Sequence, residues 1–203
     1  YYNKDLFDMF GVPYPKDGMT WDELYDLARQ MTRTENGVAY KGLTMAFEFG
    51  LMLNQLGAPS QDPETGKALF LEDSFRKVFE TEARFYGIPG NELPGHRFYL
   101  NNQQDPFYKS KTSAMFLTLS GAEKIYKDSV NWDVAAFPVF DGMQGIGSQT
   151  YPTYFFLTKA SKNRDAAFQV LSYLTSDEFQ RHAARAGIIT ILKDTSVMEQ
   201  FAA

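Results

Sequence analysis

The sequence predicts an α/β fold, because segments with apolar residues at helical spacing alternate with short apolar runs along its 203 residues. The runs are bounded by Gly, Pro and Asn, which are typical of the turns between strands and helices. Hydrophobic residues make up 44% of the chain and charged residues 22%, as is usual for a globular protein. We therefore expect one sizeable domain or two small lobes.

The predicted helices have recognisable start and stop signals. A short helix is predicted over 4–10 and is closed by Gly11. Thr20 and Glu23 have the spacing of a capping box, and apolar residues at helical spacing follow over 21–33. Pro106 is expected in the first turn of a short helix, after a long connection over 87–105. The remaining helices are predicted over 49–56, 73–86 and 121–128, from an N-cap at Asn163, and from a second capping box at Thr175 and Glu178 to Gly187.

Four short apolar runs are predicted to form strands. They are rich in aromatic, β-branched and other apolar side chains and are flanked by turn residues. The runs cover 42–47, 114–119, 132–139 and 154–157. The segment 141–150, which separates the last two runs, is rich in glycine and is predicted to be a loop.

The composition argues against several classes of function. A formal net charge of -5 and a pI near 5.1 provide no basic field for a nucleic-acid backbone, so no nucleic-acid partner is expected. The chain has no cysteine, which rules out disulfides, thiolate metal sites and cysteine nucleophiles. No apolar run approaches the ~20 residues of a membrane span. The 18 Phe and 12 Tyr residues either fill a core rich in rings or line a binding cleft.

The sequence contains no recognisable catalytic or metal-binding signature. His96 and His182 lie in different segments without ligand spacing, so no metal and no cofactor are expected. A Gly-x-Ser-x-Gly motif is lacking, and the Gly-rich segment has no Lys-Ser/Thr pair of a phosphate-binding loop. Glu48 differs from the other carboxylates, because it lies between Phe47 and Phe49 at the end of an apolar run. It marks either the mouth of a cleft or an ordinary helix start.

Four tracts occur in an order and at spacings that resemble a known family. The first runs from Tyr-Asn-Lys-Asp-Leu-Phe at 2–7 through Gly-Val-Pro at 11–13 to Thr-Trp-Asp-Glu-Leu at 20–24. The others are Lys-Thr-Ser-Ala-Met at 111–115, Trp-Asp-Val-Ala-Ala-Phe-Pro at 132–138, and Ala-Ser-Lys-Asn at 160–163 with Ala-Ala at 166–167 and Leu-Thr-Ser at 174–176. The chain thereby resembles the family 1 extracellular solute-binding proteins of ABC importers, although Thr112 and Ser113 depart slightly from the pattern of that family.

The resemblance implies a periplasmic-binding-protein-like (class II) lobe, in which a mixed sheet is flanked by helices. Residues 1–150 would form most of the C-terminal lobe, and 151–203 would be the hinge return and part of the N-terminal lobe. The implied function is the reversible capture of a small-molecule solute, a sugar or oligosaccharide, between two lobes and its delivery to ABC permease subunits. The resemblance also implies that the protein is a monomer and that it is not an enzyme. Its implied location is the extracellular face of the membrane or the periplasm, with a lipid anchor on a segment outside this chain.

The resemblance also implies which residues contact the solute. They lie at the ends of two predicted strands or where the chain re-enters the other lobe. They are Phe47, Glu48, Phe49, Ser120, Gly121, Tyr151, Thr153 and Tyr154. Ordinary packing or hinge structure is the alternative role for each of them.

Two rival functions remain open from the sequence. A glycoside hydrolase needs two carboxylates that face one cleft, and Glu48 has no evident partner for that role. A protein-interaction module is the other rival, since the abundant Phe and Tyr residues would allow it.

Overall fold

The structure is a computed structural model that describes residues 1–92, 98–121 and 128–201. The chain divides into two compact units, Tyr1–Tyr151 and Pro152–Ala203. The helix predicted over 121–128 falls largely on 122–127, which lie outside the described residues, as does His96. The assignment of 1–150 and 151–203 to two lobes of a longer protein stays a prediction.

A five-stranded mixed sheet forms the centre of the first unit. In chain order its strands are β1 (Tyr2–Asn3), β2 (Arg33–Glu35), β3 (Val38–Met45), β4 (Ser113–Leu117) and β5 (Trp132–Asp133). Their order across the sheet is β2-β3-β4-β1-β5. Strands β3 and β4 are parallel, and the other neighbours are antiparallel.

Helices surround this sheet in the described part of the first unit. They are α1 (Lys4–Phe10), α2 (Trp21–Met31), α3 (Phe47–Met52), α4 (Asp73–Ala83) with a 3-10 turn over Arg84–Gly87, and α5 (Leu100–Tyr108). Helix α2 packs mainly against β3, and α5 packs against both β3 and β4. The α/β class and the mixed sheet flanked by helices, both predicted from the sequence, are therefore confirmed.

The alternation of side chains along β4 divides the core into two clusters. Met115 belongs to the larger cluster, which includes Phe7 of α1 and Trp21 of α2. The next residue, Phe116, belongs to a smaller cluster with Phe107 of α5, and the centroids of these two rings are 6.1 Å apart. Because successive strand residues point to opposite faces, each face of the sheet has its own apolar contact with helices.

Helix α2 and strand β3 approach each other at a glycine. A Cβ atom added to Gly42 would lie 2.6 Å from the carbonyl carbon of Ala28 and 2.7 Å from its Cα atom. These are backbone atoms in the last turn of a helix, so they cannot move aside as the end of a flexible side chain can. The close packing of α2 on the sheet therefore requires glycine at position 42.

Replacing Thr20 by alanine should lower the free energy of unfolding by about 1 kcal/mol. The Thr20 hydroxyl accepts a hydrogen bond from the Glu23 backbone N–H (3.2 Å), and the Glu23 carboxylate accepts one from the Thr20 backbone N–H (2.7 Å). The predicted capping box is thus present, and T20A removes half of it. Urea denaturation measures the change. T158A, at an exposed threonine outside regular secondary structure, is the control, and an equal loss in both variants would contradict the capping role.

The second unit contains helices in its described part, residues 152–201. They are α6 (Arg164–Leu174), α7 (Asp177–Arg185) and α8 (Thr195–Met198). The strand predicted over 154–157 is wrong, because these residues have no regular secondary structure and Phe155 and Phe156 are largely exposed. A strand needs a neighbour for its backbone N–H and C=O groups, and residues 152–201 form no strand. Within the described ranges, no helix combines the length and the apolar character needed to cross a membrane.

Some predicted boundaries in the first unit differ from the structure. Helix α3 begins at Phe47 rather than near 49, because the strand ends at Met45 and the carbonyl of the N-cap residue Ala46 accepts a hydrogen bond from the Phe49 N–H (2.9 Å). Helix α5 begins inside the predicted connection, so Pro106 lies in its second half and not in its first turn. The strand predicted over 132–139 is limited to β5 and an isolated bridge between Val139 and Thr20.

The last predicted capping box is also placed one residue too early. The hydroxyl of Ser176 accepts a hydrogen bond from the Phe179 N–H (3.3 Å), which makes Ser176 the N-cap of α7. The Thr175 hydroxyl instead donates to the Ser172 carbonyl (3.1 Å) at the end of α6. Both residue types favour a helix N-terminus, so the sequence alone did not distinguish them.

Candidate functional site

The parallel pair of strands brings two of the predicted site segments to one edge of the sheet. Met45 and Leu117, the last residues of β3 and β4, lie opposite each other, and the Ala46 N–H donates to the Leu117 carbonyl (2.9 Å). The segments 47–49 and 120–121 follow these strands directly. Clefts outside the carboxyl ends of parallel strands are the usual ligand sites of open α/β sheets. This edge is therefore the candidate site of the first unit.

Phe47 is a packing residue in this structure. Its side chain is 7% exposed and belongs to the larger core cluster. The ring contacts those of Phe79, Tyr86 and Phe98, with centroids 5.7, 5.8 and 5.1 Å away. Phe79 and Phe98 are about half exposed, so they cover Phe47 and present aromatic surface in its place.

Phe49 and Tyr151 form an aromatic pair at the candidate site. Their ring centroids are 5.5 Å apart at an interplanar angle of 69°, which is an edge-to-face contact. Phe49 is partly buried, whereas Tyr151 is 58% exposed. Two predicted site residues that are 102 positions apart in the sequence, at 49 and 151, are thus brought together with ring surface open to solvent.

Hydrogen bonds between the Gly-rich loop and the segment after α3 hold the loop in place. The Gln149 N–H donates to the Leu53 carbonyl (2.8 Å), and the Gln149 side-chain amide donates to the Asn54 carbonyl (3.1 Å). The side-chain amide of Gln55 donates to the Ile146 carbonyl, and its oxygen accepts from the Phe140 N–H (2.8 Å). Gln55 is buried, so these bonds are shielded from water. They place the end of the loop, and hence Tyr151, beside Phe49.

Glu48 is exposed in the first turn of α3, where a carboxylate is favoured by the helix dipole. Its charge also acts on Tyr86. Burial raises the pKa of Tyr86 above its usual value, and the nearby carboxylates of Glu82 and Glu48 raise it further. The Tyr86 hydroxyl therefore keeps its proton at neutral pH and donates to the Gln103 side-chain oxygen (3.3 Å).

Glu82 of α4 is buried beneath the candidate site. It is 1% exposed, and its Oε2 atom accepts no hydrogen bond from the residues that the structure describes. Its carboxyl group lies against Gly50 of α3, since a Cβ atom at Gly50 would be 2.6 Å from Glu82 Oε1. Burial raises the pKa of Glu82 to about 8, so the group is mostly a neutral acid at pH 7.

The remaining predicted site residues lie in exposed segments. Ser120 and Gly121 form the turn after β4, and the positive φ of Gly121 (94°) is a conformation that favours glycine. Thr153 and Tyr154 belong to the second unit and are exposed in a stretch without regular secondary structure. Direct contact of any of these residues with a solute stays a prediction.

The described residues do not assemble a metal site. Over 1–92, 98–121 and 128–201, no group of three or more His, Cys, Asp or Glu side chains could hold a metal ion. His182 lies in α7 of the second unit. The described residues of the candidate site in the first unit offer aromatic surface and hydrogen-bonding carboxylate, amide and backbone groups.

Sequence reasoning missed the residues that support the site rather than those predicted to contact a solute. None of Gln55, Gln149 and Glu82 is singled out in the sequence analysis. The heptad-like spacing of Phe75, Val78 and Glu82 in α4 was the available signal, because it places Glu82 on the buried face with its two apolar neighbours.

A family model described as "Bacterial extracellular solute-binding protein" matches residues 1–181. No curated protein matches the sequence. Among solved structures, the chain is similar to an ABC substrate-binding protein from Listeria monocytogenes in complex with cycloalternan (TM-score 0.70, 19% identity, 98% of this chain and 52% of that one). It is also similar to the GacH receptor of Streptomyces glaucescens (0.68, 22%, 99% and 52%) and to the maltose/maltodextrin-binding domain MalE from Bdellovibrio bacteriovorus bound to maltotriose (0.62, 17%, 99% and 53%).

These similarities bear on the fold and on the extent of the chain. At 17–22% identity, the structural matches show a shared fold. The chain covers nearly all of its own length in each match but spans only about half the length of each of these structures.

Proposed function

Since the chain belongs to the family of bacterial extracellular solute-binding proteins, we propose that it is part of the solute-capturing component of an ABC importer. In this role the protein binds a sugar or oligosaccharide reversibly and delivers it to the permease subunits. Binding shifts a conformational equilibrium through contacts that differ between the free and bound states, and no bond is made or broken. The protein would therefore not be an enzyme.

The observation that carries this proposal is the aromatic pair at the carboxyl edge of β3 and β4. Phe49 and Tyr151 offer ring surface, and the exposed Glu48, which precedes Phe49 in sequence, offers a hydrogen-bond acceptor. Binding sites for small molecules combine apolar surface with a few placed polar groups. A sugar matches this arrangement, because its C–H faces pack on rings while its hydroxyls bond to carboxylate and backbone groups.

The class of solute is supported by what the similar structures contain. Their bound molecules include cycloalternan, maltotriose and, in an ABC transporter solute-binding protein from Agrobacterium vitis, D-mannitol. Another, UgpB from Mycobacterium tuberculosis, is in complex with glycerophosphocholine. Most of these ligands carry many hydroxyl groups, which favours a sugar or oligosaccharide as the solute here.

The family also supports a location and an organisation. We place the protein at the extracellular face of the membrane or in the periplasm, as a monomer held by a lipid anchor outside this chain. Residues 1–150 are proposed to form most of the C-terminal lobe, and 151–203 the hinge return and part of the N-terminal lobe. Under this proposal Thr153 and Tyr154 are ligand-contacting residues that follow the hinge.

A thermal-shift screen of the complete protein tests the proposal. The panel consists of maltose, maltotriose, D-mannitol and glycerophosphocholine, each incubated with the protein and then recovered and checked by chromatography. We expect at least one hydroxyl-rich compound to raise the unfolding temperature and to be recovered unchanged. Conversion of the compound would show an enzyme, and the lack of any shift with the three carbohydrates would reject the proposed solute class.

Replacing Tyr151 or Phe49 by alanine should weaken binding of the stabilising compound roughly tenfold, which corresponds to about 1.4 kcal/mol. Each substitution removes ring surface that the bound sugar would cover. Isothermal titration calorimetry measures the dissociation constant. F70A is the matched control, because Phe70 is exposed to a similar degree (57%) and makes its ring contact with Phe75 instead. Unchanged affinity in Y151A and F49A would remove this pair from the site.

A further inference from the structure

Glu82 stands apart in its burial from the other carboxylates that the structure describes in the first unit. Glu82 is 1% exposed, and its Oε2 atom accepts no hydrogen bond within the described part of the chain. None of the salt bridges formed by the described residues involves it. A buried carboxylate without a partner is strongly disfavoured, so this position calls for a neutral acid.

The Glu82 carboxyl group occupies the place that a side chain at position 50 would take. A Cβ atom on Gly50 would lie 2.6 Å from Oε1 and 2.7 Å from Cδ of Glu82. Helices α3 and α4 thus pack through a glycine and a carboxyl group. Helix α3 spans Phe47–Met52 and carries the proposed solute-contacting residues Glu48 and Phe49.

The nearby hydroxyl of Tyr86 does not serve Glu82. Tyr86 lies in the turn that follows α4, close to the carboxyl groups of Glu82 and of Glu48 in α3. Its hydroxyl donates to the side chain of Gln103 in α5 and not to Glu82. With no hydrogen bond from Tyr86 to a charged carboxylate, burial raises the pKa of Glu82 to about 8.

We infer that Glu82 is a positioning residue for the solute site: as a neutral acid it seats α3 against α4, and loss of its proton displaces α3 and weakens solute binding. This inference rests on the proposed function, because it assigns the effect to the helix that carries Glu48 and Phe49. The physical cause is that an ionised Glu82 gains hydration only by leaving the space beside Gly50. The two helices would then separate at their point of closest packing.

The pH dependence of binding tests the inference in the complete protein. Maltotriose is titrated by calorimetry between pH 6.5 and 9.5 into wild type, E82Q and E80Q. Because only the neutral form is competent, wild-type affinity should fall roughly tenfold between pH 7 and 9, following the fraction of protonated Glu82. E82Q should bind at pH 7 with nearly wild-type affinity and show no such decline. E80Q, an identical change at an exposed position of α4, should follow the wild type.

An E82Q protein with the same decline as the wild type would overturn the inference. Hydrogen exchange of the amides in 47–53 gives a second readout that needs no solute. After correction for base-catalysed exchange, protection should decrease above pH 8 in wild type and E80Q but not in E82Q. If maltotriose binds none of the proteins, the exchange data alone decide the role of Glu82, and the solute class is decided separately by the full panel of compounds. Equal protection in all three proteins would reject that role.

Discussion

Alanine at position 42 is expected to lower the free energy of unfolding by about 3 kcal/mol or more, which is the upper part of the range for overpacked cores. The added methyl group would meet the backbone of Ala28, 2.6 Å from its carbonyl carbon. Relief requires the whole of α2 to move away from β3. This movement would open contacts of the fully buried side chain of Met31 and of Leu27 with the sheet.

Urea denaturation of the complete protein measures this effect. G87A is the matched control, because a Cβ atom at Gly87 has no neighbour within 4 Å and its φ lies in the ordinary range. Alanine there should be neutral or stabilising by up to about 1 kcal/mol, since it restricts the unfolded chain. A G42A protein as stable as G87A would show that the sheet and α2 are less closely packed than the structure indicates.

The second large effect concerns the dependence of stability on pH. Glu82 has a pKa of about 8 in the folded protein and of 4.5 in its ordinary state. Between these values the unfolded chain loses this proton while the folded chain keeps it, so stability falls as the pH rises and levels off above 8. At up to 1.36 kcal/mol per pH unit, the contribution lost between pH 4.5 and 7 amounts to roughly 3 kcal/mol.

Comparing wild type with E82Q isolates this contribution, because other titrating groups cancel in the difference. We expect E82Q to gain roughly 3 kcal/mol relative to wild type as the pH is raised from 4.5 to 7. Burying the amide that E82Q introduces lowers the free energy of unfolding by about 1–3 kcal/mol at any pH. The test is therefore how the difference in stability between E82Q and wild type changes with pH, and not its absolute size. E80Q should show a nearly constant difference from wild type. A constant difference for E82Q as well would mean that its carboxyl group ionises normally in the folded protein.

Much of the fold could be predicted because its signals are local. The capping box of Thr20 and Glu23 and the apolar spacing that follows them define α2 without reference to the rest of the chain. The 154–157 run shows the opposite case. Its aromatic residues satisfy the composition of a strand, but a strand also requires a partner, and composition carries no information about one.

The only residues of the candidate site that could be predicted are those implied by the resemblance to the solute-binding family. Phe49 and Tyr151 meet through a sheet and a loop that bring distant segments together, and no local pattern encodes this contact. Phe47 and Glu48 differ in burial although they are adjacent, because the start of α3 turns Phe47 toward α4 and Glu48 toward solvent. Glu82 could not be identified as a buried acid from its type, since glutamate is almost never fully buried.

The place of β1 in the sheet has a consequence for how the chain acquires its structure. This two-residue strand at the start of the chain lies between β4 and β5, and its residue Tyr2 bonds to Asp133 across 131 positions. The hairpin of β2 and β3 forms from neighbouring residues, whereas β1 waits until most of the first unit has been synthesised. Closing such long loops costs entropy before any contact compensates for it, so assembly of the sheet should be slow and should end with β5, which joins the sheet through β1. A nascent chain would therefore leave β1 unpaired until β4 has been synthesised, and the other edge of β1 open until β5 follows.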